Sequence, residues 1–420
     1  MVKVGVLADT HVGRSVPNVI SEYRREAFRH AFTQAVNILV EEGVELVIHA
    51  GDIFEARSMR TSDSVFVKEE LQRLVDSLNG KVKIVVVRGN HDGTTENSAI
   101  DYVLHPLAKY LTFLGEGTLQ RKPEVFEEEG LAIVGLGYIP FVSSRLYEVR
   151  DLIREKFDAS KAAHKIFLAH MFMEGQDLPP SIPEHQIASL NTVKELGANL
   201  VIAGHYHKHL PLEEKSDLLM LTPGSTEAAD LSEDYPHGVT VLEIDNNVRY
   251  KFVQIKPLYM IRNEIVDSGG VVQNPSWFIS RVDEAVASFS DHIKKEGRQG
   301  ILRIALRGIL DGNRFDLEDE VRRRVRNLIQ ENPHIIHVEV DNSLNEISLP
   351  EVPVSEITRR EEFLREVFSV LGEKFMLQAL TLAEKIREIL EEKASSKTNL
   401  LKETDRGPFV EEWLKILESE

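Results

Sequence analysis

Cysteine is absent from all 420 residues. This excludes disulfides, thiolate zinc sites and iron–sulfur clusters, and it fits a reducing compartment. No stretch approaches the roughly 18 apolar residues that a membrane span needs. The opening run from Met1 to Asp9 reads as a strand, not as the apolar segment of a secretory leader. The expectation is a cytoplasmic protein with no membrane association. Positive charge is also scarce: 50 Lys and Arg stand against 68 Asp and Glu, for a net charge of −18. Taken alone, this argues against nucleic acid as the partner, because neutralising phosphates takes Lys and Arg. The deficit is uneven, however. Residues 298–326 hold eight arginines against five acidic residues, and divalent cations would offset carboxylates gathered at a site.

The chain is long enough for two or three domains. Through residue 257, short β-branched runs at 2–7, 46–49, 82–87, 131–136, 165–168, 200–203 and 238–244 alternate with helical patterns. Phe28, Ala31, Phe32, Ala35, Val36 and Leu39 recur at helical spacing, as do Val65, Phe66, Leu71, Leu74 and Val75. Strands alternating with helices predict a layered α/β domain. The pattern restarts at 258–352 as strand (259–266), helix (276–295), strand (301–306), helix (317–330) and strand (335–340). Residues 353–420 read as helical, with a polar linker at 394–405.

Five motifs carry the chemistry. They are Asp9-Thr10-His11, Gly51-Asp52, Gly89-Asn90-His91-Asp92, His170 and Gly204-His205-Tyr206-His207. Four of them stand at the ends of predicted strands, and all five would converge there, where open α/β sheets form their ligand crevice. Imidazole mixed with carboxylate suits Mn²⁺, Fe²⁺ or Zn²⁺. Two such ions held about 3.5–4 Å apart lower the pKa of a bound water, clamp a phosphate and stabilise its leaving oxygen.

The five motifs, in this order, resemble the calcineurin-like metallophosphoesterase superfamily. That resemblance implies a layered two-sheet core flanked by helices and two divalent ions, with Mn²⁺ favoured. Asp9, His11 and His207 would hold the first ion; Asn90, His170 and His205 would hold the second; Asp52 would bridge them. His91 would protonate the leaving oxygen, oriented by Asp92. The segments 21–28, 47–54 and 222–227 and the strand from His237 further resemble the meiotic recombination eleven and SbcD-type nucleases of DNA double-strand-break repair.

From that likeness come an expected 3′–5′ exonuclease and single-strand endonuclease at DNA ends, a capping domain at 258–352, and C-terminal helices that bind an SbcC-type SMC-like ATPase. Phe363, Phe368, Phe375, Ile386 and Leu390 would form that partner surface. Arg322, Arg323 and Arg326 would meet DNA phosphates from the cap. Helices at 62–78 and 98–111 would build a homodimer. Two positions depart from the family: Glu55 stands where it has His, and Arg88 where it has a small residue or Pro. Two alternatives accompany this reading. One is a small-molecule or nucleotide phosphodiesterase, which suits the net charge. The other is a non-catalytic end-tethering scaffold whose ions mainly order the fold.

Overall fold

The computed structural model describes residues 1–346 except 95–96, 101–102, 104–106 and 216, and it gives no side-chain account of 94, 97 and 98. The C-terminal helices, their linker and the proposed partner residues Phe363, Phe368, Phe375, Ile386 and Leu390 lie outside the described residues, as does part of the 98–111 segment.

Two six-stranded sheets stack face to face. The first runs in the order 248–254, 238–244, 2–7, 46–49, 83–87, 111–114. The second runs 210–215, 218–222, 200–204, 164–170, 131–136, 125–128. Period-two alternation explains the layering. Val2, Val4 and Val6 point into the interface, where they meet Ile133, Ile166, Leu168, Leu200 and Ile202 of the facing sheet. Their neighbours turn outward. Leu7, Val47, Ile84 and Val86 pack under the helices Ser21–Glu42 and Thr61–Ser77. On the far side, Val134, Phe167 and Val201 pack under Val142–Ala159. The result is an α/β sandwich of four layers.

The long helix Ser21–Glu42 buries the stripe read from sequence, Phe28 to Leu39, and stops where Gly43 enters the left-handed region and donates back to the Leu39 and Val40 carbonyls. Gly5 lets this helix lie close on its strand, since a Cβ there would collide with Leu39.

Strands 2–7, 46–49 and 83–87 are mutually parallel, as are 164–170 and 200–204. Parallel pairing sends their carboxyl ends to one edge of each sheet. The strands missed from sequence are mostly at the edges: 125–128, 210–215 and 248–254 carry charged residues on a solvent face, so they lack the continuous apolar run of a central parallel strand.

Residues 260–346 form a separate three-stranded parallel sheet, ordered Met260–Gln273, Gly300–Leu310, Ile335–Glu346, with helices Pro275–Glu296 and Arg314–Glu331. Asn274 and Asn313 cap the two helices: each side chain accepts from backbone N–H groups in the first turn. Phe278, Phe289, Leu302, Ile304 and Leu317 fill its own core. It meets the sandwich through Ile20, Leu231 and Ile301, and through the Tyr259 hydroxyl, which donates to Glu26 at 2.6 Å.

Candidate metal centre

The five motifs converge at the carboxyl ends of the central strands. The loops after the first two strands run on as a ladder: Asp9 N donates to the Gly51 carbonyl, His11 N to Asp52 and Val12 N to Ile53. A Cβ at Gly89 would collide with Asp52 Oδ1, and one at Gly51 with the His170 ring. Glycine at those two positions is what lets the motifs approach. Asp9, His11, Asp52 and His205 all sit at positive φ, between 40° and 86°. Non-glycine residues hold such conformations only where the surroundings over-determine them, and they gather at functional sites.

The side chains face common points. Asp9 Oδ1 lies 4.0, 4.0 and 3.9 Å from Nε2 of His11, His170 and His207. His11 Nε2 and His207 Nε2 are 3.3 Å apart. His170 Nε2 lies 3.3 Å from Asp52 Oδ2, 3.0 Å from Asn90 Oδ1 and 3.1 Å from His205 Nδ1. Ligands about 2.0–2.2 Å from one ion stand about 3–4 Å from each other, and these spacings match.

Buried Asp9 Oδ1 accepts no hydrogen bond among the described residues, an arrangement that a cation relieves. Three sets fall within ligand range of one point: Asp9, His11 and His207; Asp52, His170 and His205; and His11, Asp52 and His91. The donor set therefore fits two divalent ions with a carboxylate between them.

Electrostatics follow burial and pairing. Burial pushes the Asp9 carboxyl up. Burial would also raise Asp52, but its contact with His170, and the imidazoles of His11 and His91, hold it well below the usual carboxylate range. Burial opposes a charge on His170, yet Asp52 and Asp9 outweigh it and lift the imidazole to about 9. Burial and neighbouring His170 press His205 down to about 2. The cluster thus concentrates carboxylate charge around imidazoles that a metal must find neutral.

His91 stands beside the ligands, its ring edge-on to His11 with centroids 4.8 Å apart. Asp92, expected to orient His91, turns its oxygens to the backbone. Asp92 accepts from the backbone N–H groups of Asp52, Gly89 and Phe54 at 2.9–3.0 Å. It clamps two motif loops together, and burial with nearby Asp52 lifts it to about 6. The His91 ring is held instead through Nδ1, 2.7 Å from the Glu55 carbonyl, and its backbone N–H donates to Asp52 Oδ1.

Glu55 pairs with Arg14 Nη1 through both oxygens at 2.9 Å. Arg88 is buried and ties Glu116, Gly93 and Tyr138 together. Its role is to brace the loops around the centre. His49, expected in the core or just behind the ligands, is buried with Nε2 against the Thr10 hydroxyl. Sequence reasoning missed Glu233, which accepts from His207 Nδ1 at 2.9 Å. It also missed the aromatic wall of Tyr138 and Phe172 beside His205. Arg322 pairs with Glu318 and Arg323 donates to the Asp319 carbonyl, while Arg326 is exposed. All three lie on the helix Arg314–Glu331, far along the chain from the five motifs.

Residues 2–209, which carry this site and most of the sandwich, match the family model for calcineurin-like phosphoesterases. They form a calcineurin-like phosphoesterase domain whose His and Asp clusters fit two divalent metals. The chain is similar to the DNA double-strand break repair protein Mre11 of Haloferax volcanii, at 26% identity over 275 residues, covering 64% of this chain and 56% of that protein. It is likewise similar to the protein of the same name from Sulfurisphaera tokodaii, at 25% identity over 278 residues, 62% of this chain and 66% of that one. The chain thus spans less than two thirds of the length of these relatives. Among solved structures, a dimetal phosphatase from Danio rerio matches at 14% identity with a TM-score of 0.40, covering 60% of this chain and 95% of that one. No helix among the described residues is long and apolar enough to cross a membrane.

Proposed function

We propose that the chain is a two-metal DNA nuclease acting at broken ends, with 3′–5′ exonuclease and single-strand endonuclease activity. In this reading the ions are Mn²⁺ and the protein is a cytoplasmic homodimer partnered by an SbcC-type SMC-like ATPase. Residues 1–257 are the nuclease domain, 258–352 the cap and 353–420 the region that meets the ATPase. One observation carries the reading: seven ligand candidates converge with the His91 ring 4.8 Å from that of His11. The Mre11 relatives favour DNA as the substrate.

Asp9, His11 and His207 would hold one ion, Asn90, His170 and His205 the other, and Asp52 both. When bound, such a pair polarises the phosphate and makes a water nucleophilic near neutral pH. The chain's own residues do the rest. The Glu55 carbonyl holds His91 by Nδ1, which leaves Nε2 to hand a proton to the leaving oxygen. Asp92, by clamping the loops of Asp52 and Gly89, keeps His91 and the carboxylate in register.

The test is cleavage of end-labelled duplex and hairpin DNA with Mn²⁺. His91→Gln should lose at least about 10²-fold in rate, the usual scale for a general acid. A His91→Gln protein that cuts as fast as the wild type would sink the assignment.

A second reading, a small-molecule phosphodiesterase, is favoured by the net charge of −18 and by the acidic partners of Arg322 and Arg324 on the cap helix. Turnover of bis-p-nitrophenyl phosphate without cleavage of any DNA would select it.

A further inference from the structure

The two halves of the centre differ in what stands behind their imidazoles. On the side of Asp9, His11 and His207, each ring has a carboxylate at the nitrogen turned away from the centre. His207 Nδ1 donates to Glu233 Oε1 at 2.9 Å, which points the Nε2 lone pair inward. Glu55 Oε2 lies 3.1 Å from His11 Nδ1, close but off the N–H axis, so its effect there is that of a nearby charge.

On the other side the supports are neutral. His170 Nδ1 meets the Ala50 carbonyl at 2.7 Å. His205 turns Nδ1 itself toward the centre, and its ring rests against Phe172 and Tyr138.

The two carboxylates belong to one frame. Arg14 grips both oxygens of Glu55 and donates through Nε to the Ala229 carbonyl at 2.6 Å. The N–H of the same Ala229 donates to Glu233 Oε2 at 2.8 Å. A connected path therefore runs from His11 through Glu55, Arg14, Ala229 and Glu233 to His207. Arg14 offsets much of the Glu55 charge, whereas Glu233 delivers its charge to the His207 ring through an aligned hydrogen bond. A carboxylate on the far N–H of a ligating histidine fixes its tautomer and raises its basicity, and losing one costs about 10–100-fold in metal affinity.

We propose that this frame makes the Asp9–His11–His207 half the tighter metal site, the one that fills first, with Glu233 as its positioning residue. The inference rests on the two-metal reading of the centre and is independent of the substrate.

The experiment titrates the full chain, stripped by a chelator, with Mn²⁺ while the electron paramagnetic resonance signal of free aqueous Mn²⁺ reports binding. Wild type should show a tight and a weaker site. Glu233→Gln keeps the shape and an acceptor for the Ala229 N–H but removes the charge. It should weaken the tight site about 10–100-fold and leave the weaker one in place. Asn90→Ala should do the reverse. Two equal sites in wild type, or a Glu233→Gln protein that loses affinity equally at both, would overturn the proposal. Absence of any Mn²⁺ binding would overturn the two-metal reading with it. Failure to cut DNA, by contrast, would touch only the nuclease assignment, because no cleavage is read.

Discussion

Asp92 is a residue whose chemistry is spent on the backbone. Its two oxygens accept from three buried N–H groups on two loops, and each donor left without a partner costs about 1–3 kcal/mol. Asp92→Ala should therefore destabilise the fold by several kcal/mol, seen as a lower thermal midpoint. Asp92→Asn, which keeps an acceptor, should cost less. Equal midpoints for wild type and Asp92→Ala would refute the clamp.

The seven ligand candidates were legible in sequence because metal chemistry admits few residue types and parallel strands deliver them to one edge. The support behind them was less so. Glu233 sits 26 positions beyond His207, across a hairpin and a loop whose path no local pattern encodes. Glu55 was visible as a departure from the family, but its contacts with Arg14 and His11 depend on how two loops cross. The partners of Asp92 were not legible for the same reason, since adjacency to His91 in sequence says nothing about which donors it faces.

Among the elements, the segment between strand 218–222 of the second sheet and strand 238–244 of the first joins the centre to the three-stranded unit. Within it Ala229 and Glu233 serve the metal side, while Leu231 packs on Ile20 and Ile301. Glu227 is buried here beside Arg24, whose Nη2 donates to the Ala228 carbonyl and Nε to that of Val16. Burial pushes the Glu227 carboxyl up to about 7, although Arg24 opposes the shift.

In the unfolded chain the same group titrates near 4.5. The folded protein thus holds the proton more tightly than the unfolded one, and stability from this group is complete below about pH 4.5 and lost as pH rises through about 7. The ionisation costs on the order of 3 kcal/mol across that window. Glu227→Gln should flatten the decline in denaturant midpoint between pH 5 and 8. An unchanged slope would show that Glu227 is ionised throughout. The helices and central strands of this layer were legible from periodicity. The edge strands were not, because their alternate residues are solvated and charged.

At the scale of the molecule, the centre links folding to metal. Four imidazoles and two carboxylates from both sheets are linked by successive contacts of 3.1–4.0 Å. Their separations are set by loops that close only in the folded chain, so the unfolded chain offers no comparable site. An ion that binds the folded state alone stabilises it by about 2.7 kcal/mol when present at 100 times its dissociation constant. Two ions add to this, and each kcal/mol shifts the midpoint of a domain this size by about 2–4 °C.

Chelation with EDTA should therefore lower the melting temperature by several degrees, and excess Mn²⁺ should restore it. Asp52→Asn, which removes the carboxylate shared between the two sites, should shrink the EDTA effect without abolishing the fold, because Asn is nearly isosteric. The comparison separates two accounts of the cluster. If its charges were balanced by protons on the histidines alone, EDTA and Mn²⁺ would leave the wild-type midpoint where it is. A shift in wild type that collapses in Asp52→Asn ties the stability of the whole sandwich to ions held where its two sheets meet.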